Sequence, residues 1–499
     1  MKIIPVAYQN ISAAERIFIP LFQKQPLGKE EFFSYLPEQI KETLATFLKK
    51  EFRAEEGEIK SLWFPTRKIQ SITFFGLGEA SRWNERKNPL LARRMVQHAK
   101  KEHYKEFSIP LLHFQSARAR ETAQLYAINA FMAHFDYTAY KKKPEGGWPE
   151  VASLSLLVDQ KMIADAQKGI DEGMIIGQET NACRALANTP GSDMTPSILA
   201  QEAKRVAKKT GVTARVMEEQ EMKRLGMGGV LGVAKGSTEK PKFIILEYLK
   251  GPKNQKPLAL VGKGVTFDSG GVNLKPEQSM YEMHMDMSGG AAVIHGIAAI
   301  ARLHLPVNIV GLIPAVENMP SGSSYRPGDL LKSLSGKIIE VLNTDAEGRV
   351  ILSDALTYAL RYQPGLIADF ATLTGAAHVA LGNYCSALFT NREELQTPLI
   401  QIGKDSGDYV WPLPLWDEYL ADIKGTFGDL TNIGKQDRYG GAIHGAKFLE
   451  QFVDHTPWAH LDIAPKMTTI ESEYLAKGAS GVGVRYIVEL AKQYPTLLS

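Results

Sequence analysis

The sequence predicts an α/β protein of two domains. A small N-terminal α/β domain spans residues 1–160, and a larger C-terminal one spans 161–499, with a mixed, mostly parallel central sheet flanked by helices. Three observations predict it. Short apolar runs alternate with longer stretches of helical periodicity along most of the chain. At 499 residues the chain exceeds one ordinary core, since domains hold roughly 100–200 residues. The charged, Pro- and Gly-bearing segment KKKPEGGWPE at 141–150 interrupts the pattern where a first domain would end.

In the first domain, residues 72–75 form a short, mostly apolar run, followed by a basic amphipathic stretch through Lys101. Residues 107–112 form another apolar run, 117–137 have helical periodicity, and 153–158 read as a strand. A helix over 160–187 links the domains. Thr195-Pro196 then opens a helix, with Pro just inside the first turn. The larger domain continues with strands at 242–248, 257–261, 307–313, 337–342, 366–371 and 460–463, and helices at 288–303 and 350–360.

Composition narrows the function. Lys and Arg total 58 against 55 Asp and Glu, a net charge of +3, which gives no electrostatic reason to expect nucleic acid or an anionic membrane. The longest apolar region, 288–316, is broken by His295, Arg302, His304 and Pro306, so it reads as buried helix, turn and strand rather than a membrane span. The N-terminus lacks the apolar stretch of a signal peptide. Two distant cysteines, Cys183 and Cys385, make neither a disulfide framework nor a zinc ribbon, and suit a reducing, cytoplasmic setting.

Two stretches carry the chemistry. VGKGVTFDSGGVNLKP (261–276), with MHMDMSGG (283–290) close behind, begins as a buried strand and turns polar at its carboxyl end, where open α/β sheets bind ligands. It does not match the phosphate-binding GxxxxGK[ST] pattern. NTDAEGR (343–349) lies between the strand ending at Leu342 and the helix starting at Val350, and in an extended segment its Asp345, Glu347 and Arg349 would share one side. Together the stretches offer Asp268, Asp286, Asp345 and Glu347 beside Lys263, Lys275 and Arg349. Four carboxylates in one cleft repel unless cations neutralise them, and two divalent ions supply the matching charge. Oxygen ligation of this kind suits Mn, Mg or Zn without selecting one.

These motifs closely resemble the leucyl aminopeptidase (cytosol aminopeptidase) family, whose signature is NTDAEGR. The match continues through GMGGVLGVAKGS (226–237), ENMPSG (317–322), RPGD (326–329), SGK (335–337), LTGA (373–376), WAHLDIA (458–464) and KGASGVGVR (477–485). The resemblance implies a metal-dependent aminopeptidase that removes N-terminal, Leu-like residues from peptides through a hydroxide bridging two divalent ions, Mn²⁺ or Zn²⁺. It implies Asp268 and Glu347 as bridging ligands, Lys263 (as a neutral amine) and Asp286 completing one site, and Asp345 completing the other. It assigns Lys275 to the developing oxyanion and a bicarbonate base to Arg349, with Met283, Thr372 and Leu373 lining the pocket for the first side chain. It further implies a homohexamer acting on peptides with a free N-terminus. Departures fall at Pro465 and Lys466 near the expected pocket wall, in NTPGSDMTP (188–196), and at Tyr325.

Overall fold

The computed structural model describes residues 1–26, 30–64, 68–111, 119–435 and 439–497. The chain divides into two compact units, Met1–Gln178 with Glu471–Ala476, and Glu179–Ile470 with Lys477–Ser499.

The first unit is built on strands β1 (Lys2–Ala7), β2 (Arg16–Leu21), β3 (Ile59–Trp63), β4 (Ser71–Gly76), β5 (Glu106–Pro110) and β6 (Ser153–Val158). Among the described residues they form one sheet in the order β1-β6-β5-β2-β4-β3, parallel except for β3 against β4. Strand alternation sorts the side chains to two faces. Phe18 and Phe75 join the helices Lys87–Lys101 and Ala119–His134 in one core, while Ile17, Ile19 and Phe74 pack with helix Glu38–Lys50 in the other. Leu112, and residues 117–118 of the expected helix, lie outside the described residues. Strand 153–158 and the loop at 141–150 fall where the sequence places them.

The second unit holds β7 (Thr213–Met217), β8 (Lys242–Leu249), β9 (Leu258–Gly262), β10 (Gly264–Asp268), β11 (Asn308–Asn318), β12 (Leu330–Lys332), β13 (Ile338–Glu340), β14 (Leu366–Ala371), β15 (Ser386–Thr390), β16 (Val410–Pro412), β17 (Leu430–Thr431) and β18 (Trp458–Asp462). The main sheet runs β16-β15-β18-β14-β9-β11-β8-β7, with β10 pairing β11. The β9, β11, β14 and β18 ladders linking neighbours at its centre are parallel, and β7, β8 and β15 join antiparallel, so the sheet is mixed and mostly parallel. β9 and β14 are buried along their whole length, as expected of parallel strands covered on both faces.

Two expectations need correction. The strand at 337–342 shortens to Ile338–Glu340 and belongs to a separate small sheet, β12-β13-β17, so the NTDAEGR segment enters from the side and not from the main sheet. That segment is also not extended: it turns at Thr344–Asp345, and the helix begins at Glu347, three residues earlier than expected (Glu347–Ala359). Apolar periodicity marks Val350 onward as helix, whereas the first turn carries the polar site residues and so hides its helicity from a hydrophobic pattern.

Candidate metal centre

The site forms where the parallel strands end. β9 ends at Gly262, a position that takes only glycine, because a Cβ there would lie 2.6 Å from Gly289 O. Lys263 follows, its N–H donating to Phe370 O on β14 (3.0 Å) and its carbonyl accepting from Gly290 N (2.7 Å). The side chain is thereby aimed across the sheet edge. Its ammonium lies 2.8 Å from each oxygen of Asp286, 2.8 Å from Glu347 Oε1, and 2.8 Å from the carbonyl of Thr372. Gly348 makes room for it, since a Cβ there would meet Lys263 Cε at 2.6 Å.

Asp268 ends β10, and its Oδ1 accepts from Gly270 N (2.9 Å) and Asn318 Nδ2 (2.8 Å). Gly270 and Gly271 both have positive φ (85° and 67°), a region glycine enters freely, and the chain folds back so that Lys275 N donates to Ser269 O. Lys275 Nζ then bridges Asp268 Oδ2 (2.7 Å) and Asp345 Oδ1 (2.5 Å). The two loops are stitched together by a reciprocal pair: Thr344 N donates to Asn273 Oδ1 and Asn273 N to Thr344 Oγ1, each at 2.9 Å. Thr344 O accepts from Tyr325 (2.7 Å) and Asn318 (3.0 Å).

Asp268, Asp286 and Glu347 each offer an oxygen within 4.8 Å of the others, all three buried. Asp345 joins them through Lys275. Burial, then the neighbouring carboxylates, push Asp286 and Glu347 above the usual carboxylate range and Asp345 up to about 7. Burial pulls both lysines down, but the surrounding carboxylates outweigh it and hold the ammonium groups up. Among the described residues, Asp286 Oδ2, Glu347 Oε1 and Asp345 Oδ1 lie at ion-pair distance from these ammonium groups and receive no properly directed hydrogen bond. Buried carboxylate oxygens left so, around one centre, fit divalent cations as ligands.

The remaining expected residues surround this centre. Thr372 is buried and its hydroxyl donates to Asp286 Oδ1 (2.6 Å). Arg349 is buried, with Nη1 on Asn432 O (2.9 Å), and a Cβ on Gly445 would meet Arg349, Leu373 and Thr374 within 3.3 Å. Met283 is half-buried in a 3₁₀ turn running into Asp286. The buried side chains of Asn432 and Asp462 hold this framework by hydrogen bonds, and neither is among the site residues that the sequence suggests. Asp462 sits inside WAHLDIA, a signal that could have found it. Asn432 sits in no flagged stretch.

Comparison with known proteins agrees with this geometry. The profile described as "Cytosol aminopeptidase family, catalytic domain" matches residues 181–488, and that family's N-terminal domain matches 18–144. A "Probable cytosol aminopeptidase" of Syntrophotalea carbinolica is 48% identical over 376 residues, 75% of each chain. One of Roseiflexus castenholzii is 44% identical over 392 residues, covering 78% of this chain and 79% of its own. Among solved structures, "Bottromycin maturation enzyme BotP in complex with Mn" superposes with a TM-score of 0.84 at 29% identity, covering 97% of this chain and 100% of its own. The chain therefore belongs to the cytosol aminopeptidase family of metal-dependent aminopeptidases.

Proposed function

We propose that this enzyme removes Leu-like N-terminal residues from peptides with two divalent ions, Mn²⁺ or Zn²⁺, held by Lys263, Asp268, Asp286, Asp345 and Glu347. The observation that carries the reading is the buried convergence of Asp268, Asp286 and Glu347 within 4.8 Å, bracketed by Lys263 and Lys275. Bound there, divalent ions supply Lewis-acid polarisation of the scissile carbonyl and a water of lowered pKa. Lys263 would hold such an ion as the neutral amine, a form that adjacent positive charge favours. Lys275, its side chain 13% exposed against 2% for Asp268, can donate to the oxyanion that forms on the carbonyl. Arg349, fixed by Asn432 and lying beside Leu373, would hold a small anion such as bicarbonate near the attacking water. Thr372, Leu373 and Met283 would line the pocket for the substrate's first side chain, the partly buried Leu373 giving it apolar character.

Release of p-nitroaniline from leucine p-nitroanilide tests the reading, with chelation, metal restoration and an N-acetylated control. Activity that survives exhaustive chelation, or that accepts the acetylated substrate equally, would sink it. We further propose a homohexamer in the cytoplasm. This assembly rests on the family resemblance, and sedimentation of the full chain measures it.

A further inference from the structure

Asp462, the last residue of β18, is completely buried, and its two oxygens gather donors from two different segments. Oδ1 accepts from Leu373 N (3.0 Å) and Ala464 N (3.2 Å), and Oδ2 accepts from the Thr374 hydroxyl (2.6 Å). Thr374 Oγ1 in turn accepts from Ala377 N (3.1 Å) and caps the helix Gly375–Leu381. On its other side the same short segment is gripped by the carboxylate centre. Lys263 Nζ donates to Thr372 O, and the Thr372 hydroxyl donates to Asp286 Oδ1. Residues 372–374 are thus suspended between two buried carboxylates, Asp286 and Asp462.

Ala464 begins the turn Ala464–Lys466, which carries the buried Pro465, so one carboxylate also sets the spacing between that turn and Leu373. A carboxylate can take donors on both oxygens at once, and it has no hydrogen of its own to misplace. A fully satisfied buried network of this kind holds one arrangement of the chain in place of several.

We propose that Asp462 is a positioning residue for substrate selection: it fixes the Leu373 main chain against the 464–466 turn, and so the width of the pocket that takes the substrate's first side chain. This rests on the aminopeptidase reading above. Thr374 acts in the same device through Oδ2.

The test uses the full-length, metal-loaded enzyme and the variants Asp462→Asn, Asp462→Ala and Thr374→Val, with kcat and KM for leucine and alanine p-nitroanilides and a thermal melt of each. Asp462→Ala should lower the Leu-to-Ala ratio of kcat/KM about tenfold, mainly through KM, the scale on which apolar pockets discriminate. Asp462→Asn keeps an oxygen for the two N–H donors and an amide that Thr374 Oγ1 can accept from, so it should stay within about twofold of wild type. Thr374→Val should fall between them. An unchanged ratio in Asp462→Ala, whatever its melting temperature, would mean a purely structural role and overturn the proposal, as would equal losses in Asn and Ala. Should the Ala variant fail to fold, Thr374→Val with a wild-type ratio overturns it instead. A wild-type enzyme that turns over neither anilide overturns the functional reading and this inference together. A discriminating wild type with unaffected variants overturns the inference alone.

Discussion

The amide of Asn432 holds the backbone ahead of Asp345 on both its polar edges. Oδ1 accepts from Leu342 N (2.8 Å) and Asn343 N (3.3 Å), and Nδ2 donates to Asn343 O (2.6 Å). Asn343 Oδ1 then accepts from Asp345 N (2.8 Å), while the Asn432 carbonyl takes Arg349. One buried residue therefore sets two residues of the proposed chemistry, the segment before Asp345 through its side chain and Arg349 through its main-chain carbonyl. Asn432→Asp keeps the acceptor but turns the donor into an oxygen facing Asn343 O. We expect it to cost about 1–3 kcal/mol, read as a lower melting temperature, and to cut kcat on leucine p-nitroanilide by about tenfold or more through misplacement of Asp345 and Arg349. A variant with wild-type kcat would show that the segment holds its geometry without this bond.

At the scale of elements, the helix Glu347–Ala359 carries Glu347 and Arg349 in its first turn and is anchored two turns later by Asp354. Asp354 Oδ1 accepts from Leu334 N (2.7 Å) and Oδ2 from Val230 N (2.9 Å), tying the helix to the turn before β13 and to helix Gly228–Ala234. The two helices meet closely, for a Cβ on Gly229 would lie 2.4 Å from Val350 O. Burial pushes Asp354 up from 3.8 to about 7 despite its N–H donors. The folded state thus holds a proton that the unfolded chain has released between those values. Its contribution to stability is full below about 4 and is lost as pH rises through about 7. Asp354→Asn should flatten the fall in melting temperature across that interval, and an unaltered slope would place the titration elsewhere.

For the whole molecule, the carboxylate centre joins β9, β10, β14, the 3₁₀ turn ahead of helix Ser288–Arg302 and the helix from Glu347, elements far apart in sequence. Cations bound there stabilise the folded catalytic unit by mass action, about 2.7 kcal/mol at a hundredfold excess over Kd. Chelation should therefore lower the melting temperature of that unit, with recovery on adding Mn²⁺ or Zn²⁺, followed by calorimetry. A melt indifferent to both would mean that the carboxylates are balanced by Lys263 and Lys275 alone.

By itself the sequence determined the α/β alternation and most buried strands, and it gathered the carboxylates and lysines that are proposed to carry the chemistry. β14 was legible at its full length because a strand buried on both faces is a continuous apolar run. The candidate site was legible because NTDAEGR and the 261–290 stretch, which concentrate carboxylates and lysines beside glycines, carry the family resemblance. β10 is hard to separate from β9 in the sequence, since only Lys263 divides them and its alternation rests on two apolar residues, Val265 and Phe267, while β13 belongs to a different sheet from the one its apolar run suggests. Only the tertiary structure decided that Glu347 stands in a helix, that Lys263 faces both Asp286 and Glu347, and that Asn432 and Asp462 hold the walls. The reason is physical: apolar periodicity records which face of an element is buried, whereas hydrogen bonds between residues 89 or 90 positions apart leave no local trace in the chain.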